Sequence, residues 1–282
     1  IVELRFGSNP LGLDSDGDGL DDAQEIGDDP NNPTDRDEDG IPDIIDTDDD
    51  GDGISTETEL SAQEGLDIDG DGILNAHDLD SDGDGLEDSV EDEIGSNPYQ
   101  ADSDRDGLTD AEEVGQDLQN PLDRDEDGIL DVLDEDDDGD GISTQIEQNQ
   151  DAGQDIDEDG VINAYDLDSD GDGLEDSAED EISSNPYQID SDGDGLSDTE
   201  EVGQDPQAPV DRDEDGIPDI LDVDDDGDGI STEDELNVQG GEDIDEDGLI
   251  NAHDLDSDED GILDIDEPND EDQNGIPDYV EP

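Results

Sequence analysis

A short pattern, Asp-x-Asp-x-Asp-Gly followed by Ile, Leu or Val, begins at residues 14, 35, 48, 67, 80, 102, 123, 136, 155, 168, 190, 211, 224, 243 and 256, and once more at 270 with Asn in the fifth place. The starts are phased. DSDGDGL at 14 returns as DSDRDGL at 102 and DSDGDGL at 190, and DRDEDGI recurs at 35, 123 and 211, in both cases at an interval of 88 residues. Three large units follow, 14–101, 102–189 and 190–266, preceded by the tail of a repeat at 1–13 and followed by a divergent final loop at 267–282. Such self-similarity announces a repeat array in which each unit packs on its neighbours.

The chemistry lies in the spacing. In the first motif Asp14, Asp16 and Asp18 stand at positions 1, 3 and 5, Gly19 at 6, Leu20 at 7 and Glu25 at 12. Calcium takes six to eight hard oxygen ligands, and alternate carboxylates, one backbone carbonyl and a closing acid can surround it. Glycine at position 6 permits the backbone to curl. Each loop therefore offers the carboxylates of positions 1, 3, 5 and 12 and the carbonyl of position 7.

The first unit supplies Asp14, Asp16, Asp18, Leu20 and Glu25; Asp35, Asp37, Asp39, Ile41 and Asp46; Asp48, Asp50, Asp52, Ile54 and Glu59; Asp67, Asp69, Asp71, Ile73 and Asp78; and Asp80, Asp82, Asp84, Leu86 and Glu91. The second supplies Asp102, Asp104, Asp106, Leu108 and Glu113; Asp123, Asp125, Asp127, Ile129 and Asp134; Asp136, Asp138, Asp140, Ile142 and Glu147; Asp155, Asp157, Asp159, Val161 and Asp166; and Asp168, Asp170, Asp172, Leu174 and Glu179. The third supplies Asp190, Asp192, Asp194, Leu196 and Glu201; Asp211, Asp213, Asp215, Ile217 and Asp222; Asp224, Asp226, Asp228, Ile230 and Glu235; Asp243, Asp245, Asp247, Leu249 and Asp254; and Asp256, Asp258, Asp260, Ile262 and Glu267. The last loop adds Asp270, Asp272, Asn274, Ile276 and Glu281.

Two kinds of loop follow from the closing residue. After an Asp-closed loop the next motif starts two residues later, as in the ladder Asp46, Asp48, Asp50, Asp52, so neighbouring sites are fused and share carboxylates. At least one ion per loop is expected. Sixteen Ca²⁺ ions would reduce the formal charge from −100 to −68.

That charge makes a cation necessary. With 25% hydrophobic residues, one Phe and no Trp, the chain lacks an ordinary apolar core, and repulsion among its carboxylates would expand any compact state left unneutralised. Its basic residues are five arginines, at 5, 36, 105, 124 and 212, which form no basic patch and exclude nucleic acid and anionic membrane surfaces as direct partners. Without cysteine there are no disulfides and no thiolate zinc sites. The chain has no Met and opens on IVELRFGSNP, which matches the later VEDEIGSNPY, so it is expected to be a segment beginning partway through a repeat.

Between motifs, segments such as QEIGDDPNNP, EDEIGSNPYQ and EEVGQDPQAP read as one or two helical turns closed by glycine. Ile26, Ile94, Val114, Ile182 and Val202 would pack there against the residues that follow each loop glycine, giving a thin core strung along the chain. A helix-loop-helix calcium sensor fits poorly, because the apolar residue stands at position 7 rather than 8 and fused loops only 13 residues apart leave no room for flanking helices.

DRDEDGIPDIID and DSDGDGLEDSVE resemble thrombospondin type 3 repeats, and the resemblance spans nearly the whole chain. It implies an extracellular array with little regular secondary structure, wrapped around closely spaced Ca²⁺ ions and serving as a stalk or spacer. Animal members carry cysteines that staple the repeats. This chain has none and is more similar to the cysteine-free prokaryotic arrays.

The expected fold is thus an elongated repeat protein of Ca-scaffolded loops with short helical turns. Its expected role is a calcium-stiffened stalk, spacer or fibre segment, secreted or at the cell surface, able to self-assemble or to join further domains of a larger protein. An adhesin segment or a calcium reservoir is the alternative. No nucleophile with a base stands apart from the repeats, so no enzyme is expected. His77 and His253, replaced by Tyr165 in the middle unit, read as surface residues rather than ligands, and Arg36, Arg124 and Arg212 as surface ion pairs. Tyr99 and Tyr187 in SNPYQ read as lids over a small apolar cluster rather than adhesive contacts. There is no RGD motif and no acceptable N-glycosylation sequon.

Overall fold

The computed structural model of the chain describes residues 6–9, 11–62, 66–150, 154–238, 243–266 and 277–280. The candidate ligands Glu267, Asp270, Asp272, Asn274, Ile276 and Glu281 lie outside the described residues.

Each loop is a succession of turns in which aspartate side chains replace the backbone ladder of regular structure. In the loop starting at Asp80, the Gly83 N–H donates to Asp80 Oδ1 (3.0 Å), the Asp84 N–H to Asp82 Oδ1 (3.2 Å) and the Leu86 N–H to Asp84 Oδ1 (2.7 Å). One oxygen of each carboxylate thereby folds the loop. Aspartate suits this work because its short side chain reaches the backbone two or three residues on. The curl requires left-handed backbone at positions 4 and 6, met by Gly83 (φ 75°) and Gly85 (φ 104°) here, but by Glu38, Glu126 and Glu214 (φ 60° each) at position 4 of the DRDEDG loops.

Position 9 closes the frame. The Asp88 N–H donates to the carbonyl of Leu79, the residue before the loop (2.9 Å), while the Ser81 N–H at position 2 donates to Asp88 Oδ1 (2.7 Å). The same staple recurs with Asp43 taking the Arg36 N–H, Thr56 the Asp49 N–H and Asn75 the Ile68 N–H, so position 9 varies only among residues with an acceptor oxygen.

From position 9 the chain enters a helical turn, and the closing residue sorts these turns. Loops closed by Glu25 through Glu235 form α-helical turns whose fourth residue is the glutamate, as at Asp22–Glu25, Thr56–Glu59 and Asp110–Glu113, lengthened to Asp88–Ile94 and Asp176–Ile182, whereas the loop starting at Asp256 forms the 3₁₀ turn Asp264–Asp266. Asp-closed loops form 3₁₀ turns of three residues, such as Asp43–Ile45, Asn75–His77 and Asp219–Leu221, with the aspartate just after. The helical turns therefore begin inside the loops, earlier than the segments in which the sequence places them. The glycine stop holds at Gly95 (φ 91°), whereas Ser183 occupies the same left-handed position at φ 71° without that freedom. There are no strands among the described residues, and no helix there is long and apolar enough to cross a membrane.

The chain divides into two compact units, residues 1–137 and 138–282. In the second, Leu174, Val202 and Ile220 form a buried cluster with Ala178, Ile182 and Leu221 against it, the expected packing of helix-end residues on the residue after a loop glycine. In the first, the counterparts Leu86, Val114 and Val132 are likewise buried. At position 7, Leu20, Leu86 and Leu108 of Glu-closed loops are buried and Ile41, Ile73 and Ile129 of Asp-closed loops are exposed, as is Ile262 of the loop that starts at Asp256. This small apolar core leaves the interior to carboxylates.

Candidate metal centre

The largest fully buried side chains are dominated by the glutamates that close the loops, Glu25, Glu59, Glu91, Glu113, Glu147, Glu179, Glu201 and Glu235, each at most 1% exposed. Both carboxylate oxygens of Glu25, Glu59, Glu91, Glu113, Glu201 and Glu235 are buried without a hydrogen-bond partner. An unpaired charge in such a place costs several kcal/mol, so a buried carboxylate calls for a hydrogen-bonded counter-charge or a metal ion.

Two kinds of acidic pocket surround these groups. The first is the ring of positions 1, 3 and 5, in which one carboxylate oxygen from each of Asp14, Asp16 and Asp18 lies within 4.8 Å of the others; Asp35, Asp37 and Asp39, and Asp48, Asp50 and Asp52, form the same ring. The second takes position 5, the closing glutamate and an aspartate from a later loop. Asp18, Glu25 and Asp49 converge in this way, as do Asp52, Glu59 and Asp88, each set within the same 4.8 Å. Position 5 thus belongs to both pockets. Its Oδ1 secures the position 7 N–H while its Oδ2 is buried without a partner, as in Asp18 and Asp52.

The electrostatics follow the geometry. Burial first, then the charges of Asp50, Asp52 and Asp88, pushes Glu59 up to about 10. Burial with Asp82, Asp84 and Asp110 does the same to Glu91, also to about 10, and burial with Asp106, Asp104 and Asp137 raises Glu113 to about 11. Position 3 is raised too: Asp82 reaches about 7 through burial and the charges of Asp84 and Asp80. Groups this reluctant to ionise among themselves are stabilised as anions by a cation between them. Hard oxygen donors without nitrogen or sulfur suit calcium.

The sequence reading finds the closing glutamates and positions 1, 3 and 5, and misses the acids that complete the second pocket. Asp49, Asp137 and Asp225 stand at position 2 of the DDDGDGI loops, and Asp88, Asp110, Asp198 and Asp264 at position 9; all are at most 2% exposed. The signal was present. Position 2 is Ser, Arg or Ile in the other loops up to residue 256 and Glu271 in the last, yet Asp in all three DDDGDGI copies. In the Asp-closed loops, Asp46 accepts the Asp48 N–H (3.2 Å) and is raised by burial and by Asp39 and Asp37, so it serves its own loop and the start of the next.

The histidines and arginines sit deeper than expected. His77 is no surface residue: its side chain is 12% exposed and its Nε2 lies 3.2 Å from Asp49, as His253 Nε2 lies 3.1 Å from Asp225. Arg36, Arg124 and Arg212 do form ion pairs, but with the buried Asp43, Asp131 and Asp219 of their own loops, so each pair is anchored inside the fold. The hydroxyls of Tyr99 and Tyr187 are buried, and both feel the charges of nearby carboxylates.

A family profile described as the bacterial TSP3 repeat matches residues 80–101, 102–115, 168–187 and 190–203. No curated protein matches the chain. Repeats of this type are calcium-binding structural repeats, and the matched segments contain the loops closed by Glu91, Glu113, Glu179 and Glu201, whose carboxylates form the second kind of pocket. Four segments between residues 80 and 203 are thus similar to the bacterial TSP3 repeat, in a chain that has no cysteine anywhere.

Proposed function

We propose that this chain is an extracellular structural segment, a stalk, spacer or fibre element made stiff by calcium, with no enzymatic activity. The observation that carries the reading is six closing glutamates, Glu25, Glu59, Glu91, Glu113, Glu201 and Glu235, buried with both oxygens unpartnered among further carboxylates. Calcium is then the interior of the protein. Positions 1, 3, 5 and 12 supply carboxylates, position 7 a carbonyl, and Asp49, Asp88 and their counterparts the cross-loop contribution. Extracellular modules bind calcium at about 10⁻⁴ to 10⁻³ M, which ties loading to a millimolar external supply and supports secretion or surface display. Near-identical units at a fixed interval also favour head-to-tail assembly. The buried hydroxyls of Tyr99 and Tyr187 count against an adhesin in which those residues contact a partner.

Circular dichroism and small-angle scattering test the proposal, first in EGTA and then across a calcium titration to several millimolar with magnesium as control. A calcium-specific transition to a stiff, extended particle is expected. A chain that stays expanded at saturating calcium overturns it.

A further inference from the structure

The chain has four tyrosines, and three of them converge on the same kind of place. The Tyr99 hydroxyl is buried without a hydrogen-bond partner, and the carboxylates that face it most strongly are Glu59, Asp88 and Asp52, the members of one cross-loop pocket. Tyr187 repeats this 88 residues on: its hydroxyl is also buried without a partner and faces Glu147, Asp176 and Asp140. Repetition of the unit alone would produce this pair.

Tyr279 is different, because it stands four residues out of the 88-residue register, in PDYV rather than SNPY. It is 4% exposed, in the 3₁₀ turn Asp278–Val280, and feels the charges of Glu235, Asp234, Asp264 and Asp228, of which Glu235, Asp264 and Asp228 are the third copy of the pocket. A different local sequence thus delivers the same side chain to the equivalent position. A greasy lid would be served by Leu or Ile. Tyr99 and Tyr187 add to the ring a buried hydroxyl without a partner, and all three tyrosines feel the charges of pocket carboxylates.

A buried hydroxyl needs a partner, and where protein offers none an ordered water does so. Calcium takes six to eight oxygens, more than three monodentate carboxylates provide, and water commonly supplies part of the remainder. We propose that Tyr99, Tyr187 and Tyr279 are positioning residues of three equivalent calcium pockets: each ring shields its pocket from solvent, and each hydroxyl holds a water bound to the ion. This rests on the calcium reading above and adds the tyrosines to its sites.

The test uses the full chain carrying Tyr165→Phe, so that these three tyrosines are the only sensitisers, with Tb³⁺ in place of Ca²⁺. Terbium emission on direct excitation reports whether the ion binds at all; its absence would refute the calcium reading itself. Emission sensitised through tyrosine reports proximity, and is expected to fall by roughly a third with each further change to Phe and to vanish with all three. Bound terbium without sensitised emission overturns the placement. The hydroxyl is tested by calcium titration of Tyr99→Phe, Tyr187→Phe and Tyr279→Phe, which keep the ring. Each is expected to weaken one class of site roughly fivefold, the equivalent of one hydrogen bond of about 1 kcal/mol. Unchanged calcium affinity in all three variants overturns the hydroxyl's role.

Discussion

Replacing Glu59 by Gln should change stability in opposite directions with and without calcium. Glu59 is fully buried, neither carboxylate oxygen has a partner, and burial with Asp50, Asp52 and Asp88 holds it at about 10. Ionising it in the compact chain at neutral pH without a cation therefore works against about three pH units, or about 2 to 4 kcal/mol once solvent screening near the loops is allowed for. Gln has nearly the same shape and carries no charge. In EGTA at neutral pH, E59Q is expected to make compact states more stable by an amount of that order.

With calcium present the sign reverses. Loss of one charged ligand from the pocket shared with Asp52 and Asp88 leaves the ion underneutralised and removes a charged contact inside the fold, worth about 3 kcal/mol when one partner of a buried pair is deleted. Urea titrations followed by circular dichroism, in EGTA and in several millimolar calcium, measure both arms. Equal effects of the same sign in the two conditions would show that Glu59 is a packing residue and refute the assignment of its carboxylate to an ion.

Asp88→Asn keeps the acceptor for the Ser81 N–H and matches the natural Asn75, so it should fold normally in calcium yet lose one ion in a competitive titration, whereas Asp88→Ala should also lower the urea midpoint. Gly51→Ala should cost about 2 to 3 kcal/mol in calcium, since its Cβ would meet the Asp37 Cβ at 2.6 Å and the backbone there is left-handed at φ 76°. Glu38→Gly removes a strained left-handed residue at φ 60° and should raise stability by about 0.5 to 1 kcal/mol in the same assay. The pH dependence should also invert. In EGTA the glutamates raised to about 10 bind more protons in compact states than in the unfolded chain, where their usual value is 4.5, so compactness measured by scattering should fall as pH rises above that value. In calcium the ionised carboxylates hold the ion, so the calcium-dependent part of the stability should grow as pH rises and vanish in acid, where the ion is released and the two conditions converge.

The loop itself is legible in the sequence because its determinants are local. Positions 1, 3, 5 and 6 are set by short-range side-chain-to-backbone bonds and by left-handed backbone, and each leaves its mark within a few residues. The helical turn is harder to place: Asp-x-x-Glu at positions 9 to 12 looks like ligand spacing, and only in the structure are the same four residues a turn of helix ending at the glutamate. The cross-loop acids are harder still, since the pairing of Glu25 with Asp49 or of Glu59 with Asp88 joins residues from different loops. Asp88 was further concealed by its second task, because a residue already explained as a loop staple does not ask for another role.

That double duty gives the array its coupling. If every ion sat within one ring of positions 1, 3 and 5, the loops would load and melt one by one, as beads on a string. Instead Asp18 joins the ring of its own loop to a pocket completed by Asp49, and Asp52 joins its ring to a pocket completed by Asp88. Asp88 in turn fixes the frame of the loop that begins at Asp80 through the Ser81 N–H and the Leu79 carbonyl. Emptying the Glu59 pocket therefore frees a charge inside the frame of another loop, and the penalty is felt where no ion was removed. In a one-dimensional array such interface terms make melting cooperative within each compact unit even though the intrinsic stability of a single loop is small. A chain with so little apolar core can then become stiff through many weak sites, because each ion orders two loops rather than one.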